Sequence, residues 1–206
     1  MKKTIKLLLV ATLIACGTVL CQASDIKIKS GKMPKFSAEQ TISLEVDYSK
    51  ATWDESGSLK RFYYKEYRDE FFESEMAEAY ETFIQKMNEM FADGFKQAGS
   101  LLVVDGDADY SLFVTIKNFH ESRHMWDRTT DVFGEAELID NATGEVVCVI
   151  DINGIEGDEI QDREQGTISA MENTGWSISH RMKKSVDNIK NKKNKNFNDG
   201  IYKNRK

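Results

Sequence analysis

The chain has 206 residues, 40% of them hydrophobic and 30% charged, and a formal net charge of −6. That length and composition suit one globular domain with a core of its own. The charge is unevenly placed: residues 24–180 hold 15 basic and 32 acidic side chains, and a body so acidic repels phosphates, which excludes general nucleic-acid binding.

Residues 1–23 read as an export signal. Lys2, Lys3 and Lys6 precede the apolar run Leu7–Leu20, and Cys21-Gln22-Ala23 sets small residues at the positions a signal peptidase needs for a cut before Ser24. The run is short for a bilayer span, and no later stretch approaches the ~20 apolar residues a membrane helix requires. An alternative processing uses Leu13-Ile14-Ala15-Cys16-Gly17, which resembles a lipobox and would place a lipid on Cys16. A cut after Ala23 leaves Cys148 as the one cysteine, in the apolar run Val146–Ile150, where a buried and inert thiol is expected.

Within the body, Thr41–Tyr48 alternates Ile42, Leu44, Val46 and Tyr48 against Ser43, Glu45 and Asp47, the period of a half-buried strand. The aromatic stretch 61–72 has no firm assignment. Tyr63, Tyr67 and Phe71 at spacing four point to a packed face, whereas a sugar-binding platform would expose Phe62, Tyr63, Tyr64 and Tyr67 together. From Glu73, the residues Met76, Tyr80, Phe83, Ile84, Met87, Met90, Phe91 and Phe95 mark a long amphipathic helix that Gly99 can stop. Strands are predicted at 101–104, 110–116, 132–139 and 145–152. A second helix follows the stripe Ile168, Met171, Gly175, Ile178, Met182, Val186 and Ile189.

These elements predict an α+β fold: a mixed or antiparallel sheet of about five strands with two long amphipathic helices on one face. The organisation read from the sequence is a signal at 1–23, a single domain at 24–187 and a basic Lys/Asn-rich tail at 188–206, expected to be disordered. Residues 181–206 hold ten basic and two acidic side chains, so an anionic envelope surface is a candidate partner for that end.

One motif could carry chemistry. His120-Glu121-Ser122-Arg123-His124 matches H-E-x-x-H, in which two histidines one helical turn apart bind zinc and the glutamate acts as base on the metal-bound water. The motif follows directly on a predicted strand, however. In an extended chain positions 120 and 124 lie ~13 Å apart, too far for one metal, and no third ligand follows at zincin spacing. The expectation is a polar hairpin end, with no catalytic residue, metal or other cofactor; zinc hydrolysis through His120, Glu121 and His124 is the alternative. The acidic loops at 105–109 and 151–159 lack the order of a calcium loop and read as turns.

The segments Ala108-Asp109-Tyr110-Ser111-Leu112-Phe113-Val114 and Leu138-Ile139-Asp140-Asn141-Ala142-Thr143-Gly144-Glu145-Val146-Val147 are similar to those of small exported α+β domains and lipoproteins of Gram-negative bacteria, many of unknown function. The periplasmic domains of the curli secretion lipoprotein and of the TolB amino terminus share that arrangement. The resemblance spans roughly residues 75–187 and implies an envelope-associated, non-enzymatic binding or assembly role with another envelope protein. It implies a periplasmic, secreted or lipid-anchored location. A carbohydrate- or lipid-binding module is a further alternative.

Overall fold

The computed structural model describes residues 26–37, 39–68, 70, 72–124, 127–158 and 162–203; of these, the side chains of residues 55, 123, 124, 127 and 187–203 are outside the description. The segment read as an export signal, residues 1–23 with Cys16, lies outside the described residues.

Alternating sequence builds the sheet. β1 (Ile26–Gly31), β2 (Thr41–Asp47), β3 (Thr52–Trp53), β4 (Leu102–Val103), β5 (Tyr110–His124), β6 (Asp127–Asp140) and β7 (Glu145–Glu156) form one mixed sheet of order β1-β7-β6-β5-β2-β4, with β3 also beside β5. β5, β6 and β7 make an antiparallel meander, β1 runs antiparallel to β7, and β2 and β3 run parallel to β5. Along β5, Tyr110, Leu112, Val114 and Ile116 are buried on one face. A bulge between Ile116 and Asn118 then shifts the phase by one residue, so Phe119 takes the next buried position and the strand carries on to His124. That continuation is why β5 outruns the predicted 110–116.

Among the described residues, three helices follow from the remaining apolar positions. α1 (Leu59–Glu66) starts where the Ser58 hydroxyl accepts from the Arg61 backbone N–H, and it buries Leu59, Phe62 and Tyr63. α2 (Met76–Ala98) buries Met76, Phe83, Met87, Phe91 and Phe95, and ends at Gly99 in the left-handed conformation (φ 66°, ψ 52°) that glycine adopts without strain. α3 (Arg163–Lys203) contributes Ile168, Met171, Ile178, Met182 and Val186 to the core and runs on through the basic tail as far as Lys203. The helices' apolar stripes meet the Tyr110–Phe119 face of the sheet in one continuous core. The opposite sheet face is polar, and Glu135 there takes ion pairs from Lys29 and Lys117.

The α+β class and the one-sided helix layer match the sequence reading, and the counts are larger: seven strands and three helices among the described residues, in place of five and two. The added elements are short. β1 and β3 offer two apolar positions or fewer, and α1 is eight residues long, so none of them leaves a long periodic trace. Cys148 is fully buried and free among the described residues, and burial pushes its thiol pKa up.

Candidate functional site

The H-E-x-x-H residues sit on β5 beyond its bulge, not on a helix. The phase shift at the bulge decides what each can reach. His120 points to the exposed side and its Nδ1 meets the Asp54 carboxylate in the short 3-10 turn after β3. The other Asp54 oxygen accepts the Glu121 backbone N–H at 3.1 Å. Glu121 lies on the helix-covered side, where only 9% of its side chain is exposed.

Arg163, the first residue of α3, donates from Nε to Glu121 at 2.7 Å and from Nη1 to Glu66, the last residue of α1, at 2.6 Å. Arg128 of β6 lies 3.9 Å from the other Glu121 oxygen. The Arg163 guanidinium also stands 5.9 Å from the Phe62 ring centroid. Phe62 stacks on Trp53 at 4.0 Å, and Trp53 on Phe119 at 5.8 Å. Burial opposes the Arg163 charge, but its bonds to Glu121 and Glu66 outweigh that and hold its pKa above the ordinary value. The motif's glutamate thus joins the start of α3, the end of α1 and the sheet in a single ion-pair cluster.

This arrangement does not fit a shared zinc. Positions 120 and 124 on an extended strand stand ~13 Å apart, and the His120 ring nitrogen that meets Asp54 is engaged. No group of histidine, cysteine, aspartate and glutamate side chains able to hold a metal ion occurs among the described residues.

The aromatic stretch does not form an exposed platform either. Phe62 and Tyr63 are buried, and Tyr64 and Tyr67 are partly buried against the core. Tyr63 packs on Tyr67, Tyr80 and Phe83. Burial, then repulsion from Glu164 and Glu70, pushes its phenol up to about 12. Phe71 lies outside the described residues.

Clefts open on the surface among the described residues. One of about 270 Å³ is lined by Trp53, Asp54, Phe62, Lys65, Glu121 and Arg163, and so belongs to the cluster above. A second, of about 600 Å³, lies at the loop end of the sheet between Gly106–Tyr110 and Asp140–Ala142. Here the two segments that carry the family resemblance have structural work. Asp109 accepts from the backbone N–H of Thr41 at 2.7 Å, Asn141 donates to the Ala108 carbonyl at 2.9 Å, and Ser111 donates to Asn141 at 3.0 Å. These bonds lock the start of β5 to its neighbours on both sides. A third cleft, of about 490 Å³, runs between β2 and α2 past Val46, Tyr48, Tyr80 and Ile84.

No family model matches the sequence, and no curated protein matches it. Among solved structures, the chain is similar to the PelC dodecamer from Paraburkholderia phytofirmans, at 13% identity over 74% of this chain and 96% of that one, with a TM-score of 0.41. It is also similar to a neuraminyllactose-binding hemagglutinin homologue from Helicobacter pylori, at 10% identity over 76% of this chain and 90% of that one, with a TM-score of 0.34. At that distance the reading of function rests on this chain's own residues.

Arg163 and Asp54 were not singled out in the sequence, although they organise the site. Each is an ordinary surface-type residue there, 42 residues from Glu121 in one case and 66 from His120 in the other. Only the fold brings them together.

Proposed function

We propose that this chain is an exported, non-enzymatic binding or assembly module of the cell envelope. The observation that carries the reading is the use to which Glu121 is put: its carboxylate holds Arg163 at 2.7 Å and with it the end of α1. A general base must be free to take a proton from water, and a carboxylate holding an arginine in a near-buried pair is engaged in holding the fold. The export signal at 1–23 supplies the address.

The test is an assay of casein and acyl-ester hydrolysis by the full chain with added zinc, beside Glu121→Gln. The expected result is no rate above buffer for either protein. A zinc-dependent rate that disappears in Glu121→Gln would overturn the non-enzymatic reading. Cell fractionation tests the address: recovery in the envelope or periplasmic fraction supports it, and recovery in the cytosol contradicts it.

A further inference from the structure

Both lateral edges of the sheet are open among the described residues. β1 pairs with β7 on one side and with no strand on the other. β2 pairs with β5 along Ile42–Asp47, but on its outer side β4 reaches only Thr41 and Ile42. Ser43–Asp47 therefore present an uncovered ladder edge. An uncovered edge is a template for another strand, and the cleft past Val46, Tyr48, Tyr80 and Ile84 runs beside this one.

The two edges carry opposite charges. β1 reads Ile-Lys-Ile-Lys-Ser-Gly, with Ile26 and Ile28 packed into the core and Lys27 and Lys29 exposed on the other face. β2 sends Ile42, Leu44 and Val46 to the core and Glu45 and Asp47 to the face that Lys27 and Lys29 occupy. Three pairings between copies can be drawn. Joining β1 to β1 sets lysines against lysines, and joining β2 to β2 sets acids against acids; like charges directly opposite across a strand pair are destabilising. Joining β1 to β2 sets opposite charges together.

Strand direction agrees. β2 runs with β5, and β6, β7 and β1 alternate in turn. In a sheet continued from one copy to the next, β1 therefore meets β2 antiparallel. Setting Lys27 opposite Asp47 then places Ile28 opposite Val46, with the apolar pair on the helix side. The β1 bulge between Ile28 and Ser30 takes Lys29 out of the regular register but leaves it on the polar side, next to Glu45.

We propose that β1 of one copy adds to the β2 edge of the next, so that the sheet continues head to tail through a self-assembled oligomer. This gives the assembly reading above its partner, a second copy of the chain, and rests on that reading. Such a contact is heterologous: it closes into a ring or runs on as a filament.

The experiment is sedimentation velocity and native mass spectrometry of the exported chain across a concentration series, beside Glu45→Lys and Lys29→Glu. The expected result is a concentration-dependent oligomer in the parent chain and an apparent Kd weakened about tenfold in each variant. An equimolar mixture of the two variants should regain assembly with the two chains alternating. Lys29 then stands beside Glu45 at one junction, the two substituted side chains bring opposite charges together at the next, and only the self-pairings set like charges together. Lys29 also pairs with Glu135, so Lys27→Glu, whose lysine has no ion pair among the described residues, serves as the second β1 variant. A chain that stays monomeric throughout, or oligomers indifferent to all three substitutions, would overturn the proposal. Fractionation tests the envelope reading separately, so a monomer found in the envelope ends self-assembly alone.

Discussion

Gly94 of α2 and Gly175 of α3 lie where the two helices cross, each against the other's backbone. A Cβ on Gly94 would stand 2.0 Å from the Glu172 carbonyl oxygen, and a Cβ on Gly175 would stand 2.0 Å from that of Phe91. Neither glycine has a positive φ, so close approach and not backbone freedom is what excludes a side chain. The helices can meet this tightly only because both positions lack a side chain.

Gly94→Ala and Gly175→Ala are therefore expected to destabilise the fold, although alanine favours helix by about 1 kcal/mol. Backbone atoms cannot step aside as a flexible side chain can, and overpacking costs about 1–3 kcal/mol. Urea unfolding with circular dichroism checks this: midpoints should fall for both variants. An unchanged midpoint in either would show that the helices can separate at no cost.

Arg163→Met should destabilise as well. It keeps the aliphatic stem beside Phe62 but deprives the near-buried Glu121 and the α1 residue Glu66 of their shared partner. Breaking a fully buried pair costs about 3–5 kcal/mol and a solvent-exposed one about 1 or less. With a quarter of the Arg163 side chain exposed, about 2 kcal/mol is expected, read from the urea midpoint. Glu121→Gln, which retains an acceptor oxygen for Arg163, should lose less.

The polar face of the sheet predicts a pH dependence. Hydrogen bonds from Lys117 and then Lys29 hold the Glu135 carboxyl below its usual 4.5. A depressed carboxyl contributes stability that is present above the unfolded value and is lost as pH falls through the folded one. The stability gap between the parent chain and Glu135→Gln should thus be open at neutral pH and closed in acid, and salt should narrow it. Urea midpoints of both proteins at pH 7 and pH 3 measure it. A gap that persists in acid would contradict the ion-pair account.

Tyr48 makes the opposite kind of prediction. Its hydroxyl is buried without a hydrogen-bond partner among the described residues, and burial pushes its pKa far up. Removing an unsatisfied buried group relieves its desolvation, so Tyr48→Phe should be neutral or stabilising by about 1 kcal/mol. Thermal unfolding decides: a clear loss of stability would mean that the hydroxyl has a partner after all.

What could be read from the sequence divides along a physical line. Elements with long periodic traces were legible: the Phe83–Phe91–Phe95 stripe and the Tyr110–Ile116 alternation fall in α2 and β5, and Gly99 caps α2. β5 continued past its expected end because a bulge breaks period two at Lys117, and a strict alternation test stops there. The H-E-x-x-H motif was legible as a strand feature through its neighbour, Ile116. Its real partners, Asp54 and Arg163, were not, because ion pairs between distant residues leave no local pattern. The Gly94–Gly175 contact was hidden for the same reason: a helix glycine reads as a weak position until its neighbour across the interface is known.

The most direct test of the central claim is the zinc content of the full chain by native mass spectrometry, measured beside His120→Ala. If His120 and Glu121 serve the fold through Asp54 and Arg163, zinc will be absent, or equally weak in both proteins. Stoichiometric zinc that survives dialysis in the parent chain and vanishes in His120→Ala would contradict the account and make the motif a metal centre.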